Sequence, residues 1–368
     1  MKIECLKNKL EIIISKAEKI VSKNQNLPIL SCLLIVAKEK TISIKATNLD
    51  LGVELNIPAK VIKEGVVAVP ASIFSNYLNS IKDDKPITLE LVNDNLKITT
   101  DKSSTTIKTF SYEDFPFIPR IEPESAFSIK IKDFLNGIKS VYFSASTSSI
   151  KPELGSIYIN NEGDSLVFVA TDSFRLSEKK IKFSSGEGSF NHILIPVKNA
   201  VDILKILDGF SGDVEIVYNN NQIGFIFEDN YITSRIVDGS FPDYKQIIPK
   251  EPTTIVNILK QDVVDALRGV NVFLDKFNQV KITALKNNKD IVFETKNGEV
   301  GEIVEKIKCA TSGEDISISF NQRYLIDCFN SISSDSVIFN FSGNNKPLII
   351  TGQSDKSFTY LVMPMNRN

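Results

Sequence analysis

Three kinds of landmark recur along this chain at one spacing. An Ala-Thr or Glu-Thr pair closing an apolar strand pattern falls at Ala46-Thr47, Ala170-Thr171 and Glu294-Thr295, in steps of 124 residues. An apolar strand leading into a helix recurs around Pro70, Pro196 and Phe320, in steps of 126 and 124. Asparagine-rich turns recur at Asn93-Asp94-Asn95, Asn219-Asn220-Asn221 and Gly343-Asn344-Asn345. Solenoid and propeller repeats have periods of roughly 20–50 residues, so this longer period marks a whole domain. A chain of 368 residues has room for three units with their own cores. The repeat divides it at 1–125, 126–250 and 251–368.

Each unit opens with an amphipathic helix pattern. In the first, Leu6, Leu10, Ile13, Ala17 and Ile20 fall at helical spacing, with Lys9, Lys16 and Lys23 on another face. The counterparts begin near Ile131 and Leu259. A two-strand hairpin pattern with a polar turn follows in every unit, then a strand running into a second helix, then a second hairpin. Antiparallel hairpins with helices on one face predict an α+β fold of three similar domains, each made of two helix-plus-sheet halves. Two proline-bearing segments, Phe115–Pro123 and Phe241–Pro252, read as ordered connectors, because proline fixes φ and stiffens extended chain.

The search for catalytic chemistry returns exclusions. The single histidine, His192, has no nucleophile or orienting partner in any recognisable motif and reads as structural. No phosphate-cradling glycine loop or nucleophile elbow occurs, and Gly186-Glu187-Gly188 is too short to serve as one. Carboxylates such as Asp83-Asp84 stand beside lysines in turns, so no metal site and no cofactor are expected. Cys5, Cys32, Cys309 and Cys328 form no CxxC pair and read as buried free thiols of a reducing cytoplasm. No apolar run reaches about 18 residues, so no membrane span is expected, and the first residues lack the features of a signal peptide. The net charge of −2 excludes a nucleic-acid binder of the uniformly basic kind.

Four segments, in order, carry a resemblance: Leu27–Leu30 (LPIL), Ala170–Ser177 (ATDSFRLS), Asp238–Pro249 (DGSFPDYKQIIP) and Tyr360–Met365 (YLVMPM). Together with the length and the threefold repeat, they resemble the bacterial sliding clamp family, the beta subunit of the DNA polymerase III holoenzyme. The resemblance implies a non-catalytic processivity factor. In that family two chains join head to tail, so that six domains enclose double-stranded DNA, with helices lining the hole. It implies contact with DNA, without sequence preference, through Lys9, Lys16, Lys23, Asn24, Lys132, Lys139, Ser148, Lys151, Lys198, Lys205, Lys260, Arg268 and Arg323. Weak attraction to phosphates suits a protein that slides. The homodimer contact falls at Phe273 and Leu274 against Ile107.

The resemblance also implies a pocket for short apolar peptides of the polymerase catalytic subunit, the clamp loader, other polymerases and repair proteins. The matching positions are Leu154, Thr171, Ser173, Phe174, Arg175, Leu176, Pro242, Ile247, Asn321, Tyr324, Pro347, Leu361, Met363, Pro364 and Met365, with Arg175 as polar anchor. Three positions depart from the family's pattern: Ser173-Phe174 replaces a frequent Gly-His, Asn24 occupies a commonly basic loop position, and Asn366 displaces the last arginine to Arg367. Two other readings stay open on the residues alone: a nucleic-acid-modifying enzyme on tandem α+β domains, and a clamp specialised for repair or drug resistance.

Overall fold

The structure is a computed structural model that describes every residue except 23–26, 149, 184–191, 287 and 366–368. Lys23 and Asn24, the Gly186-Glu187-Gly188 turn and the Asn366-Arg367 ending therefore lie outside the described residues. The first repeat runs β1 (Lys2–Leu6), α1 (Lys7–Glu18), β2 (Cys32–Lys38), β3 (Thr41–Thr47), β4 (Leu51–Pro58), β5 (Lys60–Lys63), β6 (Gly65–Pro70), α2 (Ala71–Ser80), β7 (Pro86–Val92), β8 (Asn95–Thr99) and β9 (Ser104–Lys108). The second runs β10 (Ser125–Lys130), α3 (Ile131–Val141), β11 (Ser156–Glu162), β12 (Ser165–Thr171), β13 (Arg175–Lys182), β14 (Ile193–Pro196), α4 (Val197–Leu207), β15 (Asp213–Tyr218), β16 (Gln222–Phe227) and β17 (Asn230–Arg235). The third runs β18 (Thr254–Leu259), α5 (Lys260–Val270), β19 (Gln279–Ala284), β20 (Asp290–Asn297), β21 (Gly301–Gly313), β22 (Ile316–Asn321), α6 (Gln322–Asp327), β23 (Ser336–Phe341), β24 (Leu348–Gly352) and β25 (Phe358–Val362).

Each half is thus strand, helix, then three strands. Two parts of this pattern differ from the sequence expectation. A strand (β1, β10, β18) precedes every opening helix, so Leu6 ends β1 and is exposed instead of starting α1. Each hairpin also continues into a third strand. β13 reads RLSEKKIK, too charged for an apolar alternation, yet Glu178 and Lys179 are buried and partnered. One landmark shifts as well. Ala46 and Ala170 point to the helix side of their sheets, and there the third repeat places Thr295, beside Phe293. Lys296 is then the counterpart of Thr47 and Thr171, because a one-residue offset exchanges the two faces of a strand.

Strand pairing does not stop at repeat boundaries. Three antiparallel sheets have the orders β5-β1-β7-β8-β9, β10-β15-β16-β17-β4-β3-β2-β6, and β14-β11-β12-β13-β25-β24-β23-β18-β21-β20-β19-β22. The first repeat joins the second through β4 and β17, with Gly52 opposite Thr233. The second joins the third through β13 and β25, with Leu176 opposite Leu361. The middle repeat is consequently shared between two compact units, 1–135 with 198–238, and 136–197 with 239–368. Helices cover one face of the sheets: Leu10, Ile13, Ile14 and Ala17 of α1 are buried, and Phe134 of α3 packs on Phe225 at 5.3 Å.

The two proline-bearing connectors run over the other face and staple the joins. After β9, Phe110 N–H donates to the Ala68 carbonyl of β6, and Phe115 packs on Cys32 and Leu34 of β2. Ile118 then lies against Gly52 of β4, where a Cβ would stand 3.0 Å from it. Arg120 pairs with Glu54 at 3.0 Å and lies over the Tyr231 ring of β17 at 4.1 Å. At the start of the second connector, His192 Nε2 lies 3.1 Å from the Gly239 carbonyl oxygen. Phe241 stacks on Tyr158 of β11 at 4.8 Å, and the Tyr244 hydroxyl donates to Glu178 of β13 at 2.6 Å. All four cysteines are free, and burial pushes the Cys5 thiol up to about 12.

Candidate functional site

The β12–β13 turn is built by its own side chains. The Thr171 hydroxyl donates to the Arg175 carbonyl at 2.7 Å, and Asp172 Oδ1 accepts the Phe174 and Arg175 amides, both at 3.0 Å. Such an Asx turn holds a left-handed residue without glycine, here Ser173 at φ +78°. The first repeat makes the same turn: Asn48 accepts the Asp50 and Leu51 amides, and Leu49 has φ +77°. Ser173 therefore needs no glycine in its place. The turn pushes Phe174 outward, 60% exposed, where its ring stacks on Tyr324 at 6.4 Å.

Arg175 and Leu176, expected in one pocket, point to opposite faces of the sheet. Arg175 lies on the helix side. Its Nε donates to Asp172 at 3.0 Å, its Nη1 to Asp327, and the guanidinium lies 4.6 Å from the Tyr324 ring centre. Burial opposes this charge, but Tyr360, Asp327 and Asp172 hold its pKa above the ordinary arginine value. Two carboxylates already occupy this guanidinium, so the expected polar anchor for an incoming peptide is committed within the protein. The expectation is corrected on that point. Asn321 caps α6 through the Arg323 and Tyr324 amides.

On the opposite face, Leu176 and Leu361 stand side by side in a cluster with Val167, Val169, Tyr244 and Ile349, with Phe241 and Ile248 of the second connector packed on it. Leu176 is 0% exposed and Leu361 1%, while Leu154 and Pro347 are buried too. The accessible apolar groups of the predicted set are Phe174, Ile247 (49% exposed), Met363 (36%) and Pro242. Thr171 is buried, and Pro364 and Met365 are half-buried. The tail is laid down by two backbone bonds, Met363 N–H to the Phe174 carbonyl and Met365 N–H to the Ser319 carbonyl, both 2.8 Å. A buried apolar floor with an exposed rim of Phe174, Met363 and Ile247 is the surface chemistry that short apolar peptides fill. Tyr244 and Glu178 escaped the sequence reading; the hydroxyl's 2.6 Å bond to a buried carboxylate locks the connector over that floor.

The expected DNA-facing residues divide into two groups. Lys16 donates to the Ile206 carbonyl at 2.8 Å and to that of Asp208, at the end of α4, and burial lowers its pKa. Lys260 donates to the Ile332 carbonyl at 2.7 Å, just beyond the short helix 328–331. Helix ends leave carbonyls without partners, and these two ammonium groups satisfy them. Lys205 and Arg268 pair with Asp202 and Asp265 one turn back. Lys9, Lys132, Lys139, Lys198 and Arg323 are exposed on or beside helices, and Ser148 and Lys151 are exposed on the loop after α3. Among the described residues, no group of three His, Cys, Asp or Glu side chains is placed to hold a metal ion. No helix is long and apolar enough to cross a membrane among those residues.

Of the expected dimer contact, Ile107 is buried within its own sheet opposite Leu96, so β9 offers its backbone edge and not this side chain. Phe273 and Leu274 are half-buried. Phe273 lies beside Gly301 at the start of β21, its ring 3.6 Å from where a Cβ would stand. Val272 and Val300, next to Phe273 and Gly301 in the chain, are exposed, as is Val304 on the other face of β21. Scattered through turns and an edge strand, they carry no periodicity that a sequence reading detects.

Replacing Arg175 by Met leaves Asp172, 15% exposed, and Asp327, 39% exposed, without their counter-charge. Breaking a partly solvated pair of this kind costs about 1 kcal/mol. Urea denaturation of Arg175→Met is expected to show a loss of that size, and an unchanged midpoint would mean the pair is idle.

Comparison with known proteins follows this geometry along the whole chain. Family models of the DNA polymerase III beta subunit match in order: the N-terminal domain at residues 1–119, the central domain at 128–243 and the C-terminal domain at 245–366. The beta sliding clamp of Bacillus subtilis is 27% identical over 376 residues, covering 99% of both sequences. That of Synechococcus elongatus is 24% identical over 371 residues, with the same coverage. The crystal structure of the Bacillus subtilis DNA polymerase sliding clamp superposes with a TM-score of 0.93 at 26% identity over 100% of both chains. The Thermotoga maritima beta subunit shares the fold at a TM-score of 0.93 and 24% identity. The chain belongs to the DNA polymerase III beta subunit family.

Proposed function

We propose that two copies of this chain join head to tail around duplex DNA and act as a sliding clamp. The clamp tethers the DNA polymerase III catalytic subunit and serves as a docking hub for the clamp loader and for other polymerases and repair proteins. It works in the bacterial cytoplasm and has no catalytic centre of its own. The observation that carries this reading is the strand pairing at the joins. Of the six third strands, β4 pairs with β17 and β13 with β25, which leaves β9 and β21. Among the described residues β9 pairs only with β8, and along Gly301–Lys308 β21 pairs only with β20. A first-half strand of one repeat takes a second-half strand of the next at both internal joins. The third repetition of that rule pairs β21 with β9 of another chain. A head-to-tail pair gives both remaining third strands a partner and closes the assembly.

Carrying over the internal register sets the backbone of Ile107 opposite Gly301 of the partner subunit, next to Phe273. The division at 1–125, 126–250 and 251–368 then describes six equivalent domains. Lys9, Lys132, Lys139, Lys198 and Arg323 supply a weak positive lining in a chain of net charge −2, so retention on DNA rests on topology more than on affinity. Partner peptides enter between Phe174, Met363 and Ile247 and bear on the Leu176–Leu361 floor. Binding there raises the local concentration of polymerase at the primer end.

Light scattering at micromolar concentration should give twice 41.0 kDa. Replacing Leu274 by Asp should yield monomers, because an unpaired charge at a closed contact costs several kcal/mol. A wild-type monomer at that concentration would sink the ring. On DNA, the clamp loaded onto nicked circles should survive salt that strips it from linear duplex, since each neutralised phosphate makes open-surface binding steeply salt-dependent. Equal retention on circular and linear DNA at high salt would mean an ordinary binding surface.

A further inference from the structure

Three separate pieces of chain meet at the open end of the β13–β25 join: the β12–β13 turn with Phe174, the helix α6 with Tyr324, and the tail after β25 with Met363. One side chain ties the turn to the helix. Asp172 divides its carboxylate between two tasks. Its Oδ1 accepts the Phe174 and Arg175 amides that shape the turn, and its Oδ2 accepts Arg175 Nε at 3.0 Å. Arg175 Nη1 donates to Asp327 at the end of α6, three residues after Tyr324. Between these two carboxylates the guanidinium lies 4.6 Å from the centre of the Tyr324 ring and 5.8 Å from that of Phe143. Phe174 stacks on the same Tyr324 ring at 6.4 Å, with 24° between the planes. Met363 N–H donates to the Phe174 carbonyl at 2.8 Å, so the tail takes its place from the turn. The Arg175 side chain is only 12% exposed, whereas the Phe174 ring stands largely in water and keeps its place only if the turn and the Tyr324 ring keep theirs.

We propose that Arg175 is a positioning residue for docking: bracketed by Asp172 and Asp327, it holds Phe174, Tyr324 and Met363 in place for a partner peptide that neither Arg175 nor Asp327 touches. The geometry needs a guanidinium. Its planar fork donates to two carboxylates in different directions while lying against a ring, whereas a lysine ammonium is a point charge on a flexible stem. A visitor that lands on freely rotating aromatic side chains must order them, and each ordered side chain weakens binding. The bracket does that ordering in advance, because folding has already fixed the turn against α6. The proposal rests on the docking reading above and extends it to Asp327, which is absent from the positions that the resemblance supplies. It also assigns the arginine a part in docking that needs no free N–H group.

The test uses the full-length protein and the DNA polymerase III catalytic subunit of the same bacterium, immobilised for surface plasmon resonance. Arg175→Lys and Asp327→Asn are each expected to bind about tenfold more weakly than the wild type. The double variant should bind no more weakly than Arg175→Lys alone, because both changes break one bracket. The urea midpoint of Asp327→Asn should stay at the wild-type value, since its side chain is 39% exposed. Nuclear Overhauser contacts between the Phe174 and Tyr324 rings should fade in both single variants. Wild-type affinity in either single variant would overturn the proposal, even with a lowered urea midpoint, because the bracket would then serve stability alone. Additive losses in the double variant would overturn it too, since each side chain would then meet the partner on its own. Phe174→Ala separates the two readings. Weakened binding there, with Arg175→Lys and Asp327→Asn unchanged, defeats only the positioning role. Wild-type affinity in Phe174→Ala defeats docking at this rim, and the positioning role with it.

Discussion

An unpaired strand edge presents a row of amides and carbonyls that must find partners in water or in another strand. In this chain six third strands raise that problem, and four of them solve it in pairs, β4 with β17 and β13 with β25. Everything else follows from those two ladders. They make sheets of eight and twelve strands out of repeats that would otherwise be separate domains, and they divide the middle repeat between two packing units. They also fix where the connectors run, because a segment leaving β9 or β17 crosses the adjoining join to reach the next repeat. The two third strands left over, β9 and the Gly301–Lys308 part of β21, each have one neighbour among the described residues.

The β13–β25 join carries different chemistry on its two faces. On the helix side, Arg175 is held by Asp172 and Asp327 beneath Tyr324. On the other side, Leu176 and Leu361 meet across the ladder and are roofed by Tyr244. The apolar floor that the fold needs for the join is bordered by the exposed rim of Phe174, Ile247 and Met363. The exposed lysines of the helices stand apart from it. Lys16 and Lys260 show that a helix lysine also has structural work: their ammonium groups close carbonyls at the ends of other helices.

Much of this was legible in the sequence. The period, the two-half pattern, the connectors and the motif segments pointed to the α+β fold and to the family. What stayed hidden has physical causes. β13 carries Glu178 and Lys179 on buried positions, where hydroxyl and ion-pair partners supplied from distant parts of the chain replace the apolar alternation that a strand normally shows. The offset of Thr295 by one position is invisible to spacing because it changes a face and not a composition. Ile107 is buried opposite Leu96 within its own sheet, which spacing alone does not report. Which lysines are free depends on carbonyls some two hundred residues away for Lys16, and no local pattern reports that.

The central claim is that the repeats are fused by ladder hydrogen bonds and not merely apposed. Native-state hydrogen exchange, read by residue-resolved NMR or fragmentation mass spectrometry, tests it at Arg175–Lys179 against Phe358–Val362, the β13–β25 ladder. The inward amides of that ladder should be protected to the same degree as those of β12 and β24, which belong to single repeats, and should open with them in one cooperative step. Rapid exchange at the β13–β25 ladder while β12 and β24 stay protected would show that the repeats fold as independent domains that only touch, and would contradict the account.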